Sequence, residues 1–111
     1  MQDRLLSFLG LCRRAKRLVI GAETTIESVE SGKSQLVLYA SDFSRGSLKK
    51  VLHAAGSHGV DALMLPRTKE ELSIALGRLS GVLSVEDRGF ADKLRELINS
   101  EQRGEFDENK G

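Results

Sequence analysis

The residues best suited to do chemistry lie between Arg13 and Thr25. Arg13-Arg14-Ala15-Lys16-Arg17 puts four cations in five positions, Leu18-Val19-Ile20 follows, and Gly21-Ala22-Glu23-Thr24-Thr25 closes the stretch. The apolar triplet reads as a short strand and the segment after Gly21 as a helix start. The first turn of a helix exposes N–H groups without intrahelical acceptors and carries partial positive charge. A glycine there lets another backbone, such as a sugar-phosphate chain, come close. Thr24 and Thr25 add hydroxyls that both donate and accept. The chemistry is non-covalent anion recognition. Arg13, Arg14, Lys16 and Arg17 would meet phosphates, and the helix start would meet base edges. These pieces are expected to converge in space. The competing reading is an ordinary turn with solvated cations.

Other constellations are thin. His53 and His58 are five positions apart, a spacing that does not stack them on one helix face. They have no cysteine or paired acids beside them, so no metal site is expected. Cys12 falls on an apolar helical face and is expected to pack rather than react. Glu70 and Glu71 are adjacent, so they do not face each other as an acid/base pair must. No glycine loop of nucleotide-binding type occurs. The expectation is a protein with no catalytic residues and no cofactor.

The elements that must position the Arg13–Thr25 stretch are legible in the pattern. Residues 2–14 read as a helix with Leu5, Leu6, Phe8, Leu9 and Cys12 on one face. Residues 22–31 read as a second helix, ended by Gly32. The continuous apolar runs Leu36–Ala40 and Ala62–Leu65 read as strands buried on both faces, and Val82–Val85 as another strand. Between them, Leu48, Val51, Leu52 and Ala55 keep helical spacing, with Asp42 and Ser44 as candidate caps. Thr68-Lys69-Glu70-Glu71 is a capping box that opens a helix carrying Leu72, Ala75, Leu76 and Leu79. Asp87 caps a last helix with Phe90, Leu94, Leu97 and Ile98 inside. This strand–helix alternation predicts an α/β fold, a three-layer α/β/α sandwich around a small four-stranded mixed sheet.

The chain of 111 residues fits one domain, placed at residues 1–98. Residues 99–111 hold four acids against two bases and read as a polar acidic tail, expected to be disordered. From Arg4 to Ala22 there are five cations and no anion, which points to an anionic partner for the body. A single cysteine rules out an internal disulfide and suits a reducing compartment, so a cytoplasmic location is expected. The apolar stretch from Leu5 to Cys12 is too short to span a bilayer and runs into arginines rather than a cleavage site. No membrane partner is expected.

The stretch from Leu9 to Gly21, Leu-Gly-Leu-Cys-Arg-Arg-Ala-Lys-Arg-Leu-Val-Ile-Gly, resembles the opening of the YlxQ-type members of the kink-turn RNA-binding ribosomal protein family (the large-subunit seven-Ae/thirty-e superfamily). The likeness continues through Ser31–Asp42 and Glu86–Ala91 and covers about residues 4 to 98. It implies an α/β/α sandwich. It also implies an RNA site built from the helix start after Gly21 and a loop near Arg78 to Gly81. In RNA-binding relatives that helix start reads Gly-Ala-Asn-Glu, an apolar residue, Thr and Lys. Here Gly21 and Ala22 match, Glu23 stands for the Asn, Thr24 for the Glu and Glu27 for the Lys. An ionised Glu23 only accepts where Asn both donates and accepts. Glu27 replaces an attraction to phosphate with a repulsion.

Together these readings give a non-catalytic RNA-binding protein, with structured RNA, ribosomal RNA among the candidates, as partner. Ribosomal proteins are further candidate partners, and a monomer is favoured. Arg13, Arg14, Lys16 and Arg17 would contact phosphates, and Gly21 and Ala22 would permit close approach. Glu23, Thr24 and Thr25 would face the bases, with Glu27 beside them. Arg78, Leu79 and Ser80 would flank them, and Lys33 would add a further cation. One alternative is a protein-interaction module that keeps the fold without kink-turn recognition. The other is the substrate-recognition domain of an RNA-modifying enzyme acting in trans.

Overall fold

A computed structural model describes residues 3–103. It contains α1 (Arg4–Arg14), β1 (Leu18–Ile20), α2 (Ala22–Glu30), β2 (Leu36–Tyr39), α3 (Arg45–Ser57), β3 (Ala62–Met64), α4 (Lys69–Leu76), β4 (Val82–Val85) and α5 (Arg88–Gln102). The strands form one sheet in the order β1-β4-β2-β3. β4 is antiparallel to both β1 and β2, and β2 is parallel to β3. The expected four-stranded mixed sheet is the one observed.

Side-chain alternation divides the core between two layers. Leu36 and Leu38 of β2 and Leu83 and Val85 of β4 pack with Leu5, Leu9, Leu72, Leu76 and Leu94, under α1, α4 and α5. Val37 and Val82 face the other way, onto Val29, Val51, Ala54 and Ala55 of α2 and α3. The helices carry the caps their sequences announce. Asp3 caps α1 by accepting from Leu6 N at 3.0 Å, and Asp87 caps α5 by accepting from Phe90 N at 2.9 Å. Thr68 and Glu71 form both arms of the capping box on α4.

The structure departs from the pattern reading at several boundaries. Met1 and Gln2 lie outside the described residues, and α1 begins after Asp3. β3 is an edge strand, with Met64 exposed, rather than a strand buried on both faces. Its apolar run reflects the two core layers, with Leu63 packed on one and Ala62 on the other. α4 stops at Leu76 because Gly77 adopts the left-handed conformation, so Leu79 leaves the helix and is 70% exposed. α5 runs four residues past Ile98, to Gln102. That extension has a cause. Arg67 binds Asp3 through Nε (2.8 Å) and Nη2 (3.0 Å), and Glu101 through Nη1 (2.9 Å) and Nη2 (2.6 Å). The guanidinium thereby ties the start of α1 and the loop before α4 to the last turn of α5. The rest of the expected tail, 104–111, lies outside the described residues.

Candidate functional site

β1 fixes the placement of the Arg13–Thr25 stretch. Its register pairs Leu18 with Val85 and Ile20 with Leu83. The chain therefore enters β1 at the C-terminal end of β4 and leaves it at the N-terminal end. Gly21 is held at that second end, where its N–H donates to Val82 O at 2.9 Å. The Ser80 hydroxyl donates to the same carbonyl at 3.2 Å. One acceptor thus joins the start of α2 to the loop after α4, two segments about sixty residues apart in sequence. Ala40 N also donates to Gly81 O at 2.8 Å, which brings in the end of β2.

Glycine is required at both joints, for different reasons. Gly21 has φ 112° and ψ 154°, a conformation that side chains with a Cβ rarely adopt. It is the N-cap of α2 and supplies no side-chain acceptor, so the N–H groups of the first turn are left for an external partner. Gly81 is constrained by space. A Cβ there would lie 2.3 Å from Cδ1 of Phe43, whose ring lies against the glycine and packs between both core layers.

Around this centre the expected contact residues take unequal positions. Ala22 is half-buried, and Glu23, Thr24 and Glu27 are exposed on α2. The Thr24 hydroxyl turns back to donate to Ile20 O at 2.6 Å, with Gly21 O also near at 3.2 Å. It keeps only its accepting capacity for a ligand. Thr25 is a correction: it is fully buried and faces no base. Helical geometry turns it inward with Ser28 and Val29, and its Oγ1 has no hydrogen-bond partner among the described residues. The family pattern carries an apolar residue at this position, a signal the hydroxyl obscured. Arg78 and Leu79 are exposed and Ser80 is partly buried, in the loop between Gly77 and Gly81.

The cations do not converge as expected. The Arg13 guanidinium lies near Gly77, where an ideal Cβ would be 3.9 Å from its Cζ, so Arg13 flanks the loop with Arg78. Arg14 lines a groove between α1 and α5 with Phe8 and Leu11. Arg17 sits at the other end of β1, its carbonyl accepting from Glu86 N at 2.8 Å. Four residues of extended chain, about 13 Å at 3.3 Å per residue, separate it from Gly21. Lys16 precedes it in a left-handed turn, with φ 61°. Lys33 lies beyond the C-terminal end of α2, also away from Gly21. The pattern reading has the three-residue strand and expects it to bring the pieces together, whereas the strand's full length holds Arg17 and Gly21 apart. The pattern reading also passed over Phe43, the lone aromatic of the β2–α3 loop, whose bulk against Gly81 was the available signal.

Cys12 is fully buried, and that burial pushes its thiol up to about 11, with Asp87 nearby adding to the effect. It is a packing residue. Among the described residues no group of three or more His, Cys, Asp or Glu side chains is placed to hold a metal ion. No described helix is long and apolar enough to cross a membrane.

Comparison with known proteins agrees with this architecture. Two curated relatives carry the name RNA-binding protein YlxQ. The one from Enterococcus faecium is 31% identical over 97 residues, covering 87% of this chain and 93% of the relative. The one from Bacillus subtilis (strain 168) is 34% identical over 96 residues, covering 82% and 91%. Among solved structures, a protein of unknown function from Bacillus halodurans C superposes with a TM-score of 0.81 at 33% identity, covering 88% of this chain and 99% of that one. A 15.5kD RNA binding protein of Giardia lamblia shares the fold, with a TM-score of 0.67 at 21% identity and coverage of 90% and 89%. The family model for the ribosomal protein L7Ae/L30e/S12e/Gadd45 family matches residues 3–95, which include every strand and both joints at Gly21 and Gly81. With that match and those relatives, this chain belongs to the ribosomal protein L7Ae/L30e/S12e/Gadd45 family.

Proposed function

We propose that this protein binds structured RNA, without acting on it chemically, through the end of the sheet where α2 begins. The observation that carries the reading is the shared acceptor Val82 O, which holds Gly21 and Ser80 side by side. An uncapped helix start then faces the same ligand as a loop bearing Arg78 and Leu79. The first offers N–H donors and positive potential to a phosphate. The second offers a cation and an exposed apolar side chain on which an unstacked base can pack. The names of the curated relatives support an RNA partner. Kink-turn RNA, found in ribosomal RNA, is the ligand we assign, with the protein acting as a monomer in the cytoplasm beside ribosomal proteins.

The test is fluorescence anisotropy with a kink-turn RNA and a fully paired duplex of equal length, across a salt series. Binding that prefers the kink-turn and weakens with salt supports the reading. No binding at low salt, or binding without a salt slope, overturns it.

One observation favours a second reading, a protein-interaction module of the same fold. Glu23 and Glu27 both expose carboxylates on α2, beside the proposed phosphate path. Two like charges 4 Å apart repel by about 1 to 4 kcal/mol between water and a protein surface. The variant E23N/E27K separates the readings. It raises RNA affinity about tenfold or more if RNA is the ligand, and leaves a protein-binding module's weak RNA affinity without kink-turn preference.

A further inference from the structure

We infer that the opposite end of the sheet carries a second phosphate-contact surface, so that one molecule holds two separate segments of its RNA. This rests on the RNA-binding reading above. Strand register lines up Arg17, Glu86 and Gln35 across β1, β4 and β2: Glu86 N donates to Arg17 O at 2.8 Å, and Gln35 N to Val85 O at 2.8 Å. Lys33 stands two residues before this row and Arg88 two residues after it, at the start of α5. Lys16, Arg17, Lys33 and Arg88 are all exposed, and none has an ion pair with a described residue.

The acids nearest this row are held within the protein. The Glu86 carboxylate accepts from the Ser28 hydroxyl at 2.7 Å, and Asp87 caps α5. Asp61 and Asp92 lie 3.2 Å and 4.0 Å from the two Nη atoms of Arg95. Four cations are left to face solvent without an ion pair to a described residue. Beside them opens a polar cavity of about 350 Å³, lined by Gln35, Arg88, Ala91, Asp92 and Arg95. The Arg95 Nε is buried and has no hydrogen-bond partner among the described residues. Arg88 and Arg95, seven positions apart, share one face of α5 and both line the cavity, with Arg88 the one of the two that has no ion pair among the described residues. Gly21 and Arg17 lie at opposite ends of β1, about 13 Å apart along the strand, and the two surfaces are assigned to different segments of the RNA.

The experiment uses the full chain and a kink-turn RNA with two long flanking stems. The wild type is compared with K16Q/R17Q/K33Q/R88Q by anisotropy over salt and by hydroxyl-radical footprinting. Four lost phosphate contacts lower the slope of log K against log salt by about 3, at 0.7 to 0.9 per contact. The wild type protects two separated patches, and the variant protects only the one nearest the kink. The same slope and both patches in the variant overturn the second surface while the first stands. Failure of the wild type to bind overturns the RNA reading itself, and this inference with it. The single variants R88Q and K33Q, each lowering the slope by a little under 1, keep the test decisive if the fourfold variant folds poorly.

Discussion

Replacing Gly81 with alanine places a Cβ 2.3 Å from Phe43 Cδ1 and about 3 Å from two further ring atoms. Ordinary contact begins near 3.4 Å, so ring or loop must yield by roughly 1 Å in a close-packed site. Phe43 is half-buried between two core layers, and Gly81 O is held by Ala40 N, so neither moves freely. Overpacking of this kind costs about 1 to 3 kcal/mol. The alanine also restricts the unfolded chain, which returns about 0.4 to 1 kcal/mol. The clash is the larger effect, and the expected net loss is about 1 to 2 kcal/mol. Urea denaturation followed by circular dichroism reads this as a midpoint lowered by about 0.3 to 2 M, for slopes of 1 to 3 kcal/mol/M. A double-mutant cycle isolates the cause. In a Phe43→Ala background the ring is gone, and Gly81→Ala should then cost less than about 0.5 kcal/mol or stabilise. A G81A protein as stable as the wild type, or an equal loss in both backgrounds, would refute the steric argument. RNA affinity should fall with G81A, because the displaced loop carries Arg78 and Ser80.

Thr25→Val removes a buried hydroxyl that lacks a partner and preserves the shape of the side chain, so stability should rise by about 1 kcal/mol in thermal melts. RNA affinity should not change, since a buried residue touches no ligand. The Arg67 guanidinium holds the Asp3 carboxyl below its ordinary range. A depressed carboxyl stabilises the fold above its unfolded pKa, about 3.9, and that contribution is lost as pH falls through the folded value. Arg67→Met should therefore cost about 1 to 2 kcal/mol at neutral pH, after discounting for the partial exposure of Asp3, and less below about pH 4. A pH-independent difference between the melts of the two proteins would count against it. Buried Cys12, its thiol pushed up to about 11, should resist iodoacetamide in the native protein at about pH 8 and react once urea unfolds it. Rapid native labelling, followed by mass spectrometry, would contradict that placement.

The chain's local pattern determined most of the elements and their caps. Apolar spacing marks the five helices, Thr68 with Glu71 announces one start and Asp87 another, while the stop of α4 at Gly77 is not read from the pattern, which carries the helix on to Leu79. These signals are readable because helical period, side-chain capping and glycine conformations act within a few residues. The family resemblance extended them to the α2 start and the Arg78–Gly81 loop, and the structure brings those two together through Val82 O. Long-range pairing decided the rest. The apolar run at Ala62–Met64 looks the same at an edge as at the centre of a sheet, and only the strand order makes it an edge. Thr25 has the chemistry of a ligand contact and the helical phase of a core residue, and packing against the sheet settled which applies. The Arg13–Thr25 stretch is one continuous basic segment in the sequence. In the fold its cations separate, with Arg13 beside the loop after α4 and Arg17 at the far end of the sheet from Gly21. Composition identified those charges. Their separation depends on the antiparallel register of β1 on β4, which is set by contacts more than sixty residues away.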